Sequence, residues 1–333
     1  NLLLENEAAK NVTSIGIGVP GHVDEKKGLV VLCDNVPFKN TLLAEFITEK
    51  TGIPVLFLRA STGELVNRVI AEKNDPHADI LLGGATNYHI QANKAGALES
   101  YTSPLAENVP DFARSADDTY TGFCVLSLGI GINKGRFEKL FPEVPLPKTW
   151  DDLLNPVFKG EIVLTNPVAS STAYLFVQNQ LQRLGMEKGW EYLLNLVPNV
   201  GQFPDSGSAP AKLLGTGEYA IGVSYLHAVA KYASDGFDLV AIAPPQSVGD
   251  VDCISIMKNA KHLKEAQSFV DFMLSKEAQE LMSSIDFTVP VNPDAVAAKG
   301  AIPVSELDLI EYDIEKATAQ KEEVLSKWTK NVE

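Results

Sequence analysis

Three short stretches of the sequence place neutral hydroxyl groups directly before runs with helical periodicity. They are ASTGEL with Ser61 and Thr62, ASST with Ser170, Ser171 and Thr172, and DSGSAP with Ser206 and Ser208. The first N–H groups of a helix are unpaired and carry a partial positive charge, so they attract an anion without lysine or arginine. Hydroxyls beside them add donors that rotate to suit the bound group. The pattern therefore favours the binding of an oxygen-rich ligand by neutral donors.

Helix capping is the other interpretation of each stretch taken alone. Ser61 stands three residues before Glu64, which is the spacing of a capping box. In DSGSAP, Gly207 and a proline lie close to the start of the helix, where proline is favoured. Because three such stretches occur in two halves of the chain, we expect them to converge on one ligand, with capping as an additional role.

Acidic, aromatic and glycine residues fall in the same kind of loop. Asp34, Asp205 and Asp250 are suited to accept hydrogen bonds from hydroxyl or ammonium groups, although aspartate is also common in turns and caps. Tyr225 and His227 follow an apolar run and are candidates to line a cleft. The complete set of predicted ligand-binding residues is Asp34, Asn35, Ser61, Thr62, Gly84, Thr86, Ser170, Ser171, Thr172, Asp205, Ser206, Ser208, Tyr225 and His227.

No catalytic or metal-binding constellation is recognisable in the sequence. It contains no G-x-S-x-G elbow, no P-loop and no G-x-G-x-x-G between a strand and a helix, and the glycines of LGIGINKG have the wrong spacing for a dinucleotide site. Cys33, Cys124 and Cys253 are far apart, and the histidines lack the spacing of metal ligands. We therefore predict no enzyme, no cofactor and no metal site, with the cysteines as small buried side chains.

The formal net charge of this 333-residue chain is −15 at pH 7. A negative field repels phosphate backbones, so nucleic acid is not an expected partner. No apolar run is long enough to span a membrane. No basic segment followed by an apolar one opens the sequence, so we expect a secretion signal to have been removed or never to have been there. The length allows two lobes, each with its own core, in one monomer.

Apolar runs alternate with amphipathic, helix-like segments along the chain. The predicted strands are GLVVLC, IPVLFL, ADILLGG, GEIVLTNP, NVGQFP, EYAIGVSY, FDLVAIAPP and DCISIMK. Residues 264–284 are predicted as one amphipathic helix, and residues 307–332 as a charged helical ending. Strands separated by helices predict a parallel sheet covered on both faces, with ligands in the loops at the carboxyl ends of the strands.

The predicted fold is therefore α/β, with two Rossmann-like lobes joined by a hinge. We assign residues 1–121 and 225–285 to lobe 1, and residues 122–224 and 286–333 to lobe 2. The ligand is expected in the cleft between the lobes, at loops 33–38, 60–63 and 83–87 of lobe 1 and at the hydroxyl-bearing stretches of lobe 2.

Several longer stretches of the sequence resemble those of a known family. They are ASTGELVNRVIAEKNDPHADILLGG, AGALESYTSP, PKTWDDLLNPVFKGEIVLTNP, SGSAPAKLLGTGEYAIGVSY and KEAQSFVDFMLSKEAQELM. In their order and spacing, the chain from about residue 28 onward resembles the type II periplasmic solute-binding proteins of ABC importers, in the branch that binds ferric ion, sugar phosphates or 2-aminoethylphosphonate. The resemblance implies two lobes that close over a small ligand, delivery to a membrane permease, a periplasmic or extracellular location, and binding by the loops named above.

One departure from the resemblance bears on the ligand. The iron binders of this branch usually carry adjacent tyrosines after the strand that matches YAIGVSY, whereas Tyr225 is followed here by Leu226 and His227. Ferric ion favours anionic oxygen ligands, and one tyrosine supplies too few. A phosphoryl or phosphonate group therefore fits better, with ferric ion as the alternative. Because the hydroxyl-rich loops contain no lysine or arginine, a neutral polyol also stays open.

Residues 13–57 resemble a second family, the ROK sugar kinases and repressors. GIGVPGHVD is close to that family's G-x-G-x-P-G-x-V-D signature. LRASTGEL stands where the kinases carry their catalytic aspartate, and their D-x-G-x-T phosphate loop and cysteine-rich zinc motif are absent. Sugar kinase activity is therefore only a remote alternative. GLVVLC to IPVLF also serves as a strand–helix–strand of a binding protein, and a native, engineered or coincidental origin of the overlap stays open.

Overall fold

The computed structural model describes residues 29–33, 48–60 and 62–332. Three predicted ligand-binding residues, Asp34, Asn35 and Ser61, lie outside these ranges, as does most of the segment 13–57. The described residues form two compact units. The first unit holds the described residues up to Phe123, with Val251–Gln279 and Val291–Asp294, and the second holds Cys124–Asp250, Glu280–Pro290 and the described residues from Ala295 onward.

The described part of the chain alternates strands and helices. The strands are β1 Leu29–Cys33, β2 Val55–Arg59, β3 Ile80–Ala85, β4 Leu98–Glu99, β5 Thr121–Asn133, β6 Ile162–Val163, β7 Val200–Gln202, β8 Ile221–Tyr225, β9 Leu239–Ile242, β10 Gly249–Met257 and β11 Val289–Pro290. The helices are α1 Thr62–Ala71, α2 Thr86–Lys94, α3 Lys134–Leu140, α4 Ser171–Leu184, α5 Met186–Leu196, α6 Ala209–Gly215, α7 Leu226–Ser234, α8 Leu263–Leu274, α9 Lys276–Asp286, α10 Ile314–Ala319 and α11 Lys321–Val332. Of the helices described, none combines the length and the apolar character needed to cross a membrane.

In the first unit, the strands are ordered β2-β1-β3-β10. β1 is parallel to β2 and β3, whereas β10 is antiparallel to β3. Helix α1 carries Leu65, Val66 and Val69 on one face, and these side chains are buried in one cluster with Leu81 of β3. Burying each such side chain contributes roughly 1.5–3 kcal/mol, so the apolar stripe holds α1 on the sheet.

In the second unit, the strands are ordered β5-β8-β6-β7. β6 is parallel to both β7 and β8, and β5 is antiparallel to β8, β9 and β11. The core gathers aromatic side chains, with Trp150 and Phe176 at a ring-centroid distance of 5.3 Å. Trp328 of the last helix is buried and packs edge-on against Phe203, with ring centroids 5.7 Å apart. This tryptophan anchors the charged helix α11 to the unit.

The predicted strands are present, but the sheets are mixed rather than purely parallel. β1, β2 and β3, and likewise β6, β7 and β8, have the parallel arrangement that the alternation of strands and helices predicts. β5 and β10 each contain one of the boundaries between the two units. β10 is antiparallel to β3 and β4, and β5 is antiparallel to β8, β9 and β11, a direction that hydrophobic periodicity does not encode. Cys124 and Cys253 are buried on these two strands, as predicted.

Residues 264–284, predicted as one helix, form the two helices α8 and α9. Ser275 lies between them with an extended backbone (φ −69°, ψ 152°), and its Oγ accepts a hydrogen bond of 3.2 Å from the N–H of Ala278. This side chain caps a new helix, which hydrophobic periodicity cannot reveal. The helical ending predicted from residue 307 begins only at α10, where Asp313 accepts a 2.8 Å hydrogen bond from the N–H of Lys316.

Residues 225–250, which the sequence placed with lobe 1, group with the second unit. Two interactions explain this. β9 pairs with β5, with Ile242 opposite Ile130. Helix α7 shares a buried cluster with α6, through Val229 and Leu214 respectively. Both interactions hold this segment on the sheet of the second unit.

Candidate ligand-binding site

The second unit brings predicted ligand-binding residues to one edge of its sheet. β7, β6 and β8 are adjacent and parallel, so their carboxyl ends meet at the same edge. Asp205, Ser206 and Ser208 follow β7, Ser170 to Thr172 follow β6, and Tyr225 and His227 stand at the end of β8. We call 166–172 and 204–208 the two hydroxyl loops. The topology therefore gathers at one edge residues that lie far apart in the sequence.

The two hydroxyl loops touch each other. The N–H of Asn166 donates to the carbonyl of Pro204 at 2.9 Å, which extends the pairing of β6 and β7 into the loops. A Cβ atom on Gly207 would lie 2.6 Å from Oγ1 of Thr172 and 3.0 Å from Oγ of Ser170. A side chain at position 207 would push these two hydroxyls aside, so glycine is what allows the loops to approach each other this closely.

The hydroxyls of these loops are not used for helix capping. Ser170 and Ser208 occupy the N-cap positions of α4 and α6, but neither side chain accepts a capping hydrogen bond. The predicted capping role is therefore wrong for these two hydroxyls. Ser208 shares a 3.1 Å hydrogen bond with Ser206, whereas the hydroxyl of Ser170, which is only 8% exposed, makes none to another described residue. Buried polar groups normally have partners, so the first turn of α4 has donors to spare.

The two hydroxyl loops are almost free of charge. Asp205, which is exposed, is their only ionisable side chain, and neither loop contains lysine or arginine. Helix α4 has no acidic residue in its first turn, so the partial positive charge of its N-terminus is not compensated locally. An anion held here would be bound by neutral donors.

Two polar atoms near the end of β8 are buried without a hydrogen-bond partner among the described residues: Oγ of Ser224 and Nδ1 of His227. Burial lowers the pKa of His227 to about 4, so its ring is neutral at physiological pH. The ring stacks on that of Tyr225, with centroids 5.5 Å apart and planes at 26°. Sequence reasoning missed Ser224. The available signal was a lone serine in the apolar run before Tyr225.

The first unit has a corresponding edge. β2, β1 and β3 are parallel, and Thr62, Gly84 and Thr86 stand at or just after the carboxyl ends of β2 and β3. Gly84 is buried and has a positive φ of 86°. The hydroxyl of Thr86 is already engaged, since its Oγ1 lies 3.4 Å from the carbonyl of Val251 and 3.7 Å from Sγ of Cys253. Thr86 thus ties α2 to β10, and its hydroxyl is less available than those of α4.

Known proteins are similar to this chain in sequence and in fold. A Haemophilus influenzae protein of uncharacterized function is 34% identical over 328 residues, covering 95% of this chain and 94% of the relative. The structure of the periplasmic binding protein AfuA from Actinobacillus pleuropneumoniae, with exogenous fructose-6-phosphate bound, superposes with a TM-score of 0.78 at 31% identity. The match covers 92% of this chain and 98% of AfuA.

Similarity of fold extends further than similarity of sequence. Iron-bound HitA from Pseudomonas aeruginosa matches with a TM-score of 0.75, over 89% of this chain and 99% of HitA, but at only 22% identity. This likeness shows the type II periplasmic binding protein fold and nothing about the ligand. Residues 41–305 match the family described as bacterial extracellular solute-binding protein. The chain belongs to the bacterial extracellular solute-binding proteins, the binding components of ABC transporters.

Proposed function

We propose that this solute-binding protein captures a small solute with a phosphoryl or phosphonate group, a sugar phosphate or an organophosphonate, and delivers it to the permease of an ABC importer. The observation that carries the proposal is the contact between the two hydroxyl loops at Gly207, which gathers neutral donors that no capping bond consumes. The bound fructose-6-phosphate of AfuA, at 31% identity, supports the same ligand class.

The proposed chemistry follows from the donors available. The oxygens of a phosphoryl group accept hydrogen bonds, and the hydroxyls of Ser170, Ser171, Thr172, Ser206 and Ser208 can donate them. The unpaired N–H groups and partial positive charge of α4 add to this attraction. Hydrogen bonds to a charged group contribute about 1.5–3 kcal/mol each. Asp205 and neutral His227 are then placed to recognise the hydroxyl or amino groups of the organic part.

The first unit supplies the other side of the site in this proposal, through Asp34, Asn35, Ser61, Thr62, Gly84 and Thr86. The two units close over the solute, with the strands that contain their boundaries as the hinge. The protein acts as a monomer outside the cytoplasm, associates with the membrane through its transporter, and releases the solute without chemical turnover. Its net charge of −15 disfavours nucleic acid as a partner.

Ferric ion is the alternative cargo. Iron-bound HitA has the same fold, and Tyr225 is one phenolic ligand at the edge of the second unit. The next aromatic residue, His227, has a neutral ring and is not an anionic oxygen donor. A hard ferric ion favours several anionic oxygens, so the site suits a phosphoryl group better.

A thermal-shift and calorimetry panel tests the proposal. Fructose 6-phosphate, 2-aminoethylphosphonate and inorganic phosphate form the anionic arm, unphosphorylated fructose is the matched control, and ferric citrate is the iron arm. A compound at a hundred times its Kd stabilises the folded state by about 2.7 kcal/mol. We expect stabilisation in the anionic arm and recovery of the compound unchanged. Stabilisation by ferric citrate alone, with a tyrosinate-to-iron absorption band, would overturn the proposal in favour of iron.

A further inference from the structure

The carboxyl end of β3, directly before α2, contains a β-bulge built from two glycines. Leu82 of β3 lies opposite Ile254 of β10, and Ala85 lies opposite Asp252, so β3 has one residue more than β10 between the two pairs. Gly83 and Gly84 fill the interval with φ of 80° and 86°. Two consecutive glycines have the greatest backbone freedom of any pair, so something outside the loop must hold this conformation.

A buried histidine makes that contact. His89, on α2, is 0% exposed, and its Nε2 lies 3.0 Å from the carbonyl oxygen of Gly83. Its Nδ1 lies 2.6 Å from Oγ of Ser255 on β10. A carbonyl only accepts hydrogen bonds, so Nε2 carries the proton and Nδ1 accepts the hydroxyl of Ser255. Burial lowers the pKa of His89 to about 4, which keeps this tautomer neutral at physiological pH.

The result is a closed polar network of the bulge, α2 and β10. Both ring nitrogens of His89 are used, and the neighbouring hydroxyl of Thr86 reaches the same strand at Val251. Such a fully bonded buried network rigidifies the elements that it joins. The side chain of His89 faces the interior, so it fixes the bulge and the start of α2 from the buried side.

We propose that His89 is a positioning residue for ligand binding, because the hydrogen bond from its Nε2–H to Gly83 fixes the bulge that presents Gly84 and the N-terminus of α2 to the solute. This inference rests on the proposed function, in which the loop after β3 forms one side of the site. A loop fixed before binding loses less conformational freedom when the ligand arrives, so fixing it raises affinity. Nothing in this role requires His89 to touch the solute.

Two substitutions of His89 distinguish a role in positioning the bulge from a role in core packing alone. In His89→Gln, the amide supplies one donor and one acceptor, so the bonds to Gly83 and Ser255 can both be restored. In His89→Leu, the bulk is retained, but both partners are left unpaired. We expect the Kd for fructose 6-phosphate to rise about tenfold or more in His89→Leu and to stay within about threefold of the wild-type value in His89→Gln.

Ser103→Ala is the matched stability control. Ser103 is buried in the same unit, and its hydroxyl donates to Asp271 at 2.6 Å, without contact to the bulge. This variant should lose stability and keep its Kd. Where His89→Leu fails to fold, Ser255→Ala takes its place, with an expected rise in Kd of about threefold to tenfold, because the ring is no longer oriented at Nδ1.

Calorimetric titration with fructose 6-phosphate and ¹⁵N-resolved NMR of the histidine rings provide the readouts. The expected spectrum has a proton on Nε2 of His89 and none on Nδ1. An unchanged Kd in a folded His89→Leu variant, or a proton on Nδ1, overturns the inference while the proposed function stands. If the wild-type protein binds no member of the ligand panel, the proposed function is wrong, and so is the positioning role of His89.

Discussion

Replacing Gly207 with alanine tests whether the two hydroxyl loops form one binding surface. The new Cβ would lie 2.6 Å from Oγ1 of Thr172, whereas ordinary contacts begin at 3.4 Å. The hydroxyl of Thr172 must therefore move by about 0.8 Å relative to residue 207. Whether the loop shifts or the side chain of Thr172 rotates, a donor displaced by that amount from an ideal distance of about 2.8 Å ends near 3.6 Å, beyond a useful hydrogen bond. Losing one bond to a charged oxygen costs about 1.5–3 kcal/mol, which is about 10-fold to 150-fold in Kd.

The free energy of unfolding should change little in the same variant. Ser206 and Ser208 beside Gly207 are exposed, so this loop can yield without opening the core. Alanine also restricts the unfolded chain, which offsets part of the steric cost by about 0.4–1 kcal/mol. We therefore expect urea denaturation to give a stability within about 1 kcal/mol of wild type, while calorimetric titration with fructose 6-phosphate gives a clearly weakened Kd.

Gly135→Ala is the control for this substitution. Gly135 lies in α3 of the same unit, and its nearest atom to a new Cβ is Oδ2 of Asp238 at 3.3 Å, away from both loops. This variant should bind as wild type does. Equal affinities of the Gly207 and Gly135 variants, with wild-type binding intact, would refute the argument that the contact at Gly207 shapes the site.

Three further predictions concern the energetics of the fold. Burial raises the pKa of Asp286 to about 7, so the folded state binds this proton more tightly than the unfolded state does. The stability that the protonated carboxyl group contributes is therefore fully present below about pH 4 and is lost as the pH rises through about 7. Asp286→Asn should therefore be more stable than wild type by roughly 3–5 kcal/mol at pH 8 and equal to it near pH 4 by urea denaturation; no gain at pH 8 would mean that the carboxylate is well solvated. Arg136 holds both carboxylate oxygens of the half-buried Glu161 at 2.7 Å, so Glu161→Gln should lower the unfolding free energy by about 1–2 kcal/mol, measured by thermal melting at two salt concentrations. Ser224→Ala removes a buried hydroxyl without a partner among the described residues and should leave the ligand-free stability unchanged or raise it by about 1 kcal/mol; a clear loss in the calorimetric melting curve would show that the hydroxyl has a partner.

The positions of the strands were predictable because burial and hydrophobicity coincide in them. The run ILLGGA in β3 is almost wholly buried, and so is IGVSY in β8. The hydrophobic pattern did not indicate the direction of a strand or a break within a helical segment. An apolar run is the same in a parallel and an antiparallel strand, which is why β10 was predicted without its antiparallel direction. The strand β5 was not among the predicted strands. The break at Ser275 depends on one hydroxyl bonding Ala278, and hydrophobic periodicity contains no signal for it.

The placement of the hydroxyl loops was predictable from the sequence, but their atomic contacts were not, and their role in binding stays a prediction. Hydroxyls before helices marked Ser170 to Thr172 and Ser206 to Ser208, and the parallel order of β7, β6 and β8 places both stretches at one edge. The side chain of Ser170 does not cap its helix. This could not be predicted from the sequence, because it depends on backbone geometry. His89 was a lone histidine in the sequence because its partner, Ser255, lies 166 residues further along the chain, and pairings over such distances exist only in the fold.

Helix α4 contains hydroxyls in two different situations, one bonded inside the fold and two in its first turn. Tyr174, one turn inside the helix, donates its hydroxyl to the carbonyl of Ala317 at 2.6 Å and accepts from Gln178 at 2.7 Å. The hydroxyls of Ser171 and Thr172, in the first turn of the same helix, make no such bond to any described residue. Ser171 is exposed and Thr172 is partly buried, so water can satisfy both hydroxyls in the ligand-free protein and they add little to its stability. In the proposed site, both hydroxyls are therefore available to the solute, and we expect them to contribute to affinity rather than to the stability of the ligand-free fold.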